Sequence, residues 1–198
     1  MLRITRNNFK KVSVWTLILS NLIPLIGVIF WGWSVFQLLF AFWCESAVIG
    51  IYTIIRLAVK RSISFILFFI IHFGAFMQGH LLVLVVFFHD GVSVSLEMAL
   101  LGAKVSLPAT FLIIWPAVLA MTISHGVSFY SNFLKNKEYV NLVPARIMLA
   151  PYPRIVVMHL VVIFGAFLAI LLGNPIGGLI VLVILKAGLD IFSHIKEH

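Results

Sequence analysis

The chain alternates long apolar runs with short clusters of charged and turn-forming residues. An α-helix needs about 20 apolar residues to cross the hydrocarbon core of a bilayer, which is about 30 Å thick. The runs have this length, and the turns at 31–34 and 173–175 are short enough to make the flanking helices antiparallel. The pattern therefore predicts an all-α integral membrane bundle of about six transmembrane helices, at residues 12–31, 34–58, 63–88, 108–134, 155–173 and 176–194.

The composition excludes an ordinary soluble domain. Of the 198 residues, 63% are hydrophobic and 10% are charged, whereas soluble domains are about half apolar and a quarter charged. Because six helices use most of the length, we expect one transmembrane domain over residues 1–198 and no soluble catalytic domain. The single cysteine, Cys44, cannot form an internal disulfide and lies in an apolar run, where a small buried side chain is expected.

The basic residues predict the orientation of the bundle. With six helices, nearly all of them fall on one side, and by the positive-inside rule that side, with both termini, is cytoplasmic. The formal net charge of +8 is therefore interpreted as a topology signal, with some affinity for anionic lipid headgroups at the cytoplasmic face of the lipid bilayer. Nucleic-acid binding is not expected, because the bundle offers no basic soluble face. The sequence leaves the oligomeric state open.

Several ionisable side chains lie in or beside the apolar runs, and they are Glu45, His72, His80, His125, His159, Asp190 and His194. A central charge costs roughly 2.5 to 3.5 kcal/mol to insert, so such groups are expected to pair, line a cavity or act. Counting about 1.5 Å per residue from the helix ends predicts three layers. Glu45, His72 and His125 fall near the midplane, His80 falls nearer the outside, and the cytoplasmic half holds His159, Asp190, His194 and Asn132.

Helical spacing groups some of these residues on common faces. His125, Ser128 and Asn132 form one stripe, and Lys186, Asp190 and His194 form another. Together with His159, the two stripes predict a common inner cavity. His72, His80 and Arg154, with Ser128 and Asn132, are the other members of the predicted polar cluster. Imidazole and carboxylate are suitable ligands for zinc, iron or manganese, so the predicted metal set is His125, His159, Asp190 and His194.

Structural interpretations of the same residues stay open at this point. Asp190 and Lys186 are spaced as an ordinary ion pair on one helix, and His72 and His80 are suited to hydrogen bonds between helices. Glu45 is the residue for which a functional role is favoured, because a carboxylate at the midplane must be protonated, paired or hydrated. The sequence contains no zinc-protease motif, phosphate-binding glycine loop or nucleophile elbow.

Several separate segments carry a family resemblance. They are Asn21 to Val28 with Trp31-Gly32-Trp33, Phe42-Trp43 with Glu45, Ser124-His125-Gly126, Pro151-Tyr152-Pro153-Arg154 with His159, and Leu185 to Asp190 with His194. Together they resemble an uncharacterised family of prokaryotic multi-pass membrane proteins, the domain of unknown function 6498. The resemblance implies a location in the cell membrane, the inner membrane of a prokaryote, and it implies no activity.

Three hypotheses for function follow from these residues. The first is a membrane-embedded enzyme that binds a divalent metal ion, with Glu45 or Asp190 as the catalytic group that handles a proton. The second is a proton-linked transporter or channel in which Glu45, His72 and His125 form a relay. The third is a noncatalytic membrane protein that binds a partner, a lipid or a haem.

Overall fold

A computed structural model describes residues 23–24, 26–88, 107–160 and 164, and all the regular structure among these residues is helical. Six α-helical segments are numbered in chain order. They are α1 (26–30), α2 (Val35–Val59), α3 (Ile63–Phe88), α4 (Leu107–Ser128), α5 (Pro144–Leu149) and α6 (152–160). A π-helix, Phe129–Lys135, continues α4, and a 3-10 helix, Glu138–Val140, precedes α5.

Among the residues that the structure describes, three helices are long and apolar enough to cross a membrane. They are α2, α3 and α4 with its π-helical continuation, and they correspond to the second, third and fourth predicted spans. The predicted bounds of α3 are the observed ones, and those of α2 differ by one residue at each end. The first, fifth and sixth predicted spans lie largely outside the described residues, so the total of six and the cytoplasmic termini stay predictions.

Local sequence signals fix the start of α2 and its connection to α3. Ser34 caps α2 by accepting a hydrogen bond from the Gln37 amide, and the Gln37 side chain accepts one from the Ser34 amide in return. This reciprocal arrangement satisfies two amides that the first helical turn leaves without partners. At the other end, Arg61 has a φ of 53°, and this left-handed residue reverses the chain directly into α3. The two helices therefore form an antiparallel hairpin.

Helix α2 lies at the centre of the described bundle and packs against α3, α4 and α5. Its contact with α3 is close at Gly50, where an added Cβ would lie 2.6 Å from the Phe73 ring. The Trp43 indole donates a hydrogen bond of 2.8 Å to the Met77 carbonyl. This bond joins the same two helices about two turns before Gly50 in α2. These contacts hold the polar face of α2 in a fixed orientation toward α4.

The chain between α4 and α6 folds against the bundle. The structure packs α5 against α2 and α3, with Ile147 buried in a cluster that includes Leu57, Phe69 and Phe133. This apolar contact anchors α5 to the bundle, because burying Ile147 removes its side chain from water, while Lys137, Val140 and Val143 of the same connection stay exposed.

Candidate functional site

A polar cavity of about 90 Å³ lies between α2, the end of α4 with its π-helix, and the start of α6. Most of its lining residues are polar or charged, although α2 and α4, which build two of its walls, are strongly apolar. The lining residues are Ile49, Tyr52, Thr53, Arg56, His125, Ser128, Asn132, Glu138, Ala150, Pro151 and Arg154.

Helix α2 supplies one wall of this polar cavity. Tyr52, Thr53 and Arg56 lie seven, eight and eleven residues after Glu45, and these spacings place all four side chains on one helical face. At about 1.5 Å per residue, the stripe is on the order of 16 Å long. It runs inward from Arg56, in the last turn of α2, to Glu45 in the middle of the helix.

Helix α4 and the π-helix supply the facing wall. His125 and Ser128 come from the end of α4, and Asn132 comes from the π-helix, where its amide donates a hydrogen bond of 3.3 Å to the Ser128 hydroxyl. Helix α4 contains Pro116 before this stripe, and the stripe itself continues into the wider π-helical turns at Asn132. Such π-helical turns are rare and occur frequently at functional sites.

His125 lines the polar cavity and contacts Glu45, a buried residue that is not part of the lining. The His125 Nε2 and Glu45 Oε1 atoms are 3.7 Å apart, within the distance of an ion pair. Glu45 is only 4% exposed, whereas His125 also contacts the cavity. A buried carboxylate is stable only if it is neutralised or paired, and the imidazole of His125 is positioned to do this. The structure therefore brings together two of the side chains that the sequence predicted at a similar depth.

Hydroxyl groups lie between this pair and the opposite end of the cavity. The Tyr52 hydroxyl donates a hydrogen bond of 3.2 Å to the Thr122 carbonyl, and the Thr53 hydroxyl donates one of 2.9 Å to the Ile49 carbonyl. Gly126 allows the Tyr52 contact, because a Cβ at that position would lie 2.7 Å from the phenol oxygen. Each hydroxyl can also accept a hydrogen bond from the cavity side.

Three charged side chains form the opposite end of the polar cavity, here called the charged end: Arg56, Glu138 and Arg154. The Arg56 guanidinium lies over the Phe133 ring at 5.5 Å. All three charged residues already have partners in the structure. Arg154 belongs to the predicted polar cluster. Arg56 and Glu138 are not among the predicted site residues, because Arg56 contributes to the positive-inside pattern and Glu138 lies outside the apolar runs.

A second group of polar side chains joins α3 to α6. His80 Nε2 and His159 Nδ1 are 2.7 Å apart, and so are His72 Nδ1 and the Tyr152 hydroxyl oxygen. These histidines line a groove beside Phe76 that shares no lining residue with the polar cavity. His80 is 4% exposed. Burial raises the pKa of the Tyr152 phenol above its usual value.

These contacts correct the predicted layers. The depth count placed His80 toward the outside and His159 in the cytoplasmic half, yet the structure places the two rings in contact. It likewise places His72, assigned to the midplane, beside Tyr152. Depth was counted from the end of each helix, and this fails because α6 begins alongside the middle of α3. His72 is therefore separated from the Glu45 and His125 pair, contrary to a relay of all three.

The predicted metal set is divided between the two groups. His125 lines the polar cavity and His159 lines the groove, and Asp190 and His194 lie outside the described residues. Within the described part of the chain, there is no group of three or more His, Cys, Asp or Glu side chains that could hold a metal ion. Binding of zinc, iron or manganese stays a prediction.

The chain was compared with protein families, curated proteins and solved structures, and a family matches. The model of a family of unknown function, DUF6498, matches residues 3–198, which confirms the resemblance indicated by the sequence segments. No curated protein and no solved structure matches the chain. The match covers both groups of polar residues.

Proposed function

We propose that this chain, which belongs to the family of unknown function DUF6498, is a proton-linked membrane transporter in which Glu45 and His125 form the proton-binding centre. The observation that carries the proposal is the pairing, at 3.7 Å, of a buried carboxylate with an imidazole that lines a polar cavity. Ionisable groups inside membrane helices commonly mark proton and ion pathways.

The chemistry of the pair suits reversible proton binding. A proton on His125 produces an ion pair with the Glu45 carboxylate, and a proton on each residue leaves a neutral acid beside a cation. Because both side chains are largely removed from water, the interaction between them is stronger than it would be at a surface. Binding or release of an ion or of water molecules in the cavity changes the electrostatic environment of His125. Such a change can move a proton onto or off the pair.

The polar cavity provides a path to this centre from one end of α2. A water molecule needs roughly 10 to 15 Å³ of space accessible to its centre, so a cavity of about 90 Å³ has room for several. Water molecules there would contact the hydroxyls of Tyr52, Thr53 and Ser128, which can both donate and accept hydrogen bonds. Such a chain of groups carries a proton between the charged end and His125.

The geometry favours this function over a metal-dependent enzyme. The proton-binding pair is complete within the described residues, whereas the metal hypothesis needs Asp190 and His194 in addition to His125 and His159. The last two line different cavities. Integral membrane location is itself part of the proposal, supported by the three long apolar helices and the positive-inside pattern.

Proton uptake into proteoliposomes tests the proposal. The protein is reconstituted with a pH-sensitive dye inside, the membrane potential is clamped with potassium and valinomycin, and the external solution is acidified. We expect faster acidification with the native protein than in protein-free liposomes. Glu45→Gln should abolish the difference, because an amide cannot take up the proton.

A matched variant separates this effect from general damage to α2. Ser46 is the buried neighbour of Glu45, and its hydroxyl contacts the Phe42 carbonyl and the Met158 sulfur, neither of which belongs to a residue that lines the polar cavity. Ser46→Ala should therefore retain the native uptake. Equal uptake by the native protein and Glu45→Gln, with both variants folded by circular dichroism, would contradict the proposal.

A further inference from the structure

We propose that the charged end of the polar cavity binds a phosphate-type oxyanion between Arg56 and Arg154. The inference rests on the proposed function for its role in transport, since it names the class of substrate that would move with the proton. Binding itself can be measured separately. The inference starts from the lining of the cavity, where two guanidinium groups and one carboxylate, that of Glu138, lie around one small space.

The charges at this end favour an anion. Two arginines and one glutamate leave a local excess of one positive charge. Each guanidinium has five N–H donors in a planar arrangement that suits two oxygens of a phosphate. Arg56 and Arg154 already have partners. Because the five N–H donors of a guanidinium point in several directions, such a group can bind an oxyanion as well as an existing partner.

The neutral lining supplies donors of suitable geometry. The Ser128 hydroxyl accepts its hydrogen bond from Asn132 and can donate its own proton to an anion. Asn132 also has a second N–H on the same amide. A tetrahedral oxyanion has several oxygens that can accept hydrogen bonds. The charged and neutral donors that line this space come from α2, the end of α4, the π-helix and α6.

The size of the cavity restricts the ligand to a small group. A space of about 90 Å³ corresponds to several water molecules, which is the scale of an inorganic oxyanion or of one phosphate group on a larger molecule. A large organic substrate would not fit inside. Free phosphate and the phosphate of a lipid headgroup share this chemistry, and the experiment must distinguish them.

Glu138 makes the site moderate in affinity. Its carboxylate lines the same space as the two arginines and repels an anion by the same Coulomb interaction that attracts it to the guanidinium groups. This feature suits a transport site, because an ion that binds too tightly is not released. The presence of Glu138 also allows a specific test, because removing its negative charge should strengthen the binding of the oxyanion.

Equilibrium dialysis with radiolabelled inorganic phosphate tests the inference on the full chain in detergent micelles at constant pH. Arg56→Gln and Arg154→Gln should each weaken binding at least tenfold, the lower range for losing a hydrogen bond to a charged group. Arg56→Lys should retain more affinity than Arg56→Gln. Glu138→Gln should bind phosphate more tightly than the native protein.

Lys137→Gln is the matched control. It removes one positive charge next to Glu138 in the sequence, but Lys137 is exposed and does not line the cavity. Its phosphate affinity should stay native, whereas a simple effect of net charge would weaken binding in all the basic variants alike. Circular dichroism and size-exclusion chromatography check that every variant is folded.

A second arm identifies the source of the phosphate group. The same binding is measured in nanodiscs of phosphatidylcholine and in nanodiscs that contain phosphatidylglycerol. Undiminished binding in both supports a free anion, and loss of binding only with phosphatidylglycerol supports a lipid headgroup in the same site. No binding to the folded native protein, or native affinity in both Arg→Gln variants, would overturn the inference. If Glu45-dependent proton uptake persists in that case, the proposed function survives without it.

Discussion

The Glu45 and His125 pair predicts a measurable coupling between two positions 80 residues apart in the chain. The perturbation is a double-mutant cycle with Glu45→Gln, His125→Gln and the combined variant. For atoms 3.7 Å apart, Coulomb's law with an effective dielectric constant of about 20 gives roughly 4.5 kcal/mol of attraction. The His125 side chain is 15% exposed, so water screens part of this attraction. Desolvation of both groups offsets more of it. We expect a net coupling free energy of about 2 kcal/mol.

Reversible unfolding in mixed micelles of a mild detergent and dodecyl sulfate, followed by circular dichroism, gives the free energy of unfolding for each variant. The losses in free energy of unfolding of the two single variants should add up to more than the loss of the double variant. Each single variant leaves a buried polar group without its counterpart, whereas the double variant removes both. Glu45→Gln combined with His72→Gln is the control and should be additive, since His72 pairs with Tyr152 on another face. A coupling below about 0.5 kcal/mol, the usual limit of additivity, would refute the pair.

Three further predictions test the packing and the polar groups. Gly50→Ala should be less stable than Gly74→Ala by about 1 to 3 kcal/mol in the same unfolding assay. A Cβ at Gly50 would overlap the Phe73 ring, whereas a Cβ at Gly74 would meet no described atom within 4 Å. Tyr152→Phe should cost about 1 kcal/mol. Burial raises the phenol pKa, so the proton-linked part of this stability is complete below about pH 10 and is lost as the pH rises further through the folded-state pKa, as a pH series of the same assay will measure. Elemental analysis of His125→Ala and His159→Ala should reveal no metal whose content depends on both residues, since they line separate cavities.

The long helices could be predicted from the sequence because their length is set by one dominant requirement. An apolar run without charges, such as Ile63–Phe88, must satisfy its own backbone hydrogen bonds wherever lipid surrounds it, and a helix does this. The capped start of α2 at Ser34 is likewise a local signal. The π-helix at Phe129–Lys135 was not predictable, because its hydrophobic composition is also that of an ordinary α-helix.

The sequence could predict a contact in the candidate site only where two residues lie at the same depth in neighbouring helices. Glu45 and His125 were both assigned to the middle of their helices, and α2 and α4 are neighbours in the structure. Arg56 and Glu138 could not be assigned to one site, because 82 residues separate them and no periodicity connects them. Their meeting depends on how the segment after the π-helix packs.

That segment explains both the wrong depth of His159 and the existence of the charged end. Tyr152, at the start of α6, lies beside His72, which is nine residues into α3 and therefore about 14 Å along it. The chain must travel inward by a similar distance before α6 begins, and the burial of Ile147 holds it there. Lys60 fixes the other side of the same segment, with a hydrogen bond of 2.8 Å to the Tyr139 carbonyl. The packing of Ile147 and the Lys60 hydrogen bond hold the segment that carries Glu138 and Arg154, which line the polar cavity together with Arg56 in the last turn of α2. Loss of the packing at Ile147 should therefore open the charged end before it disturbs the three long helices.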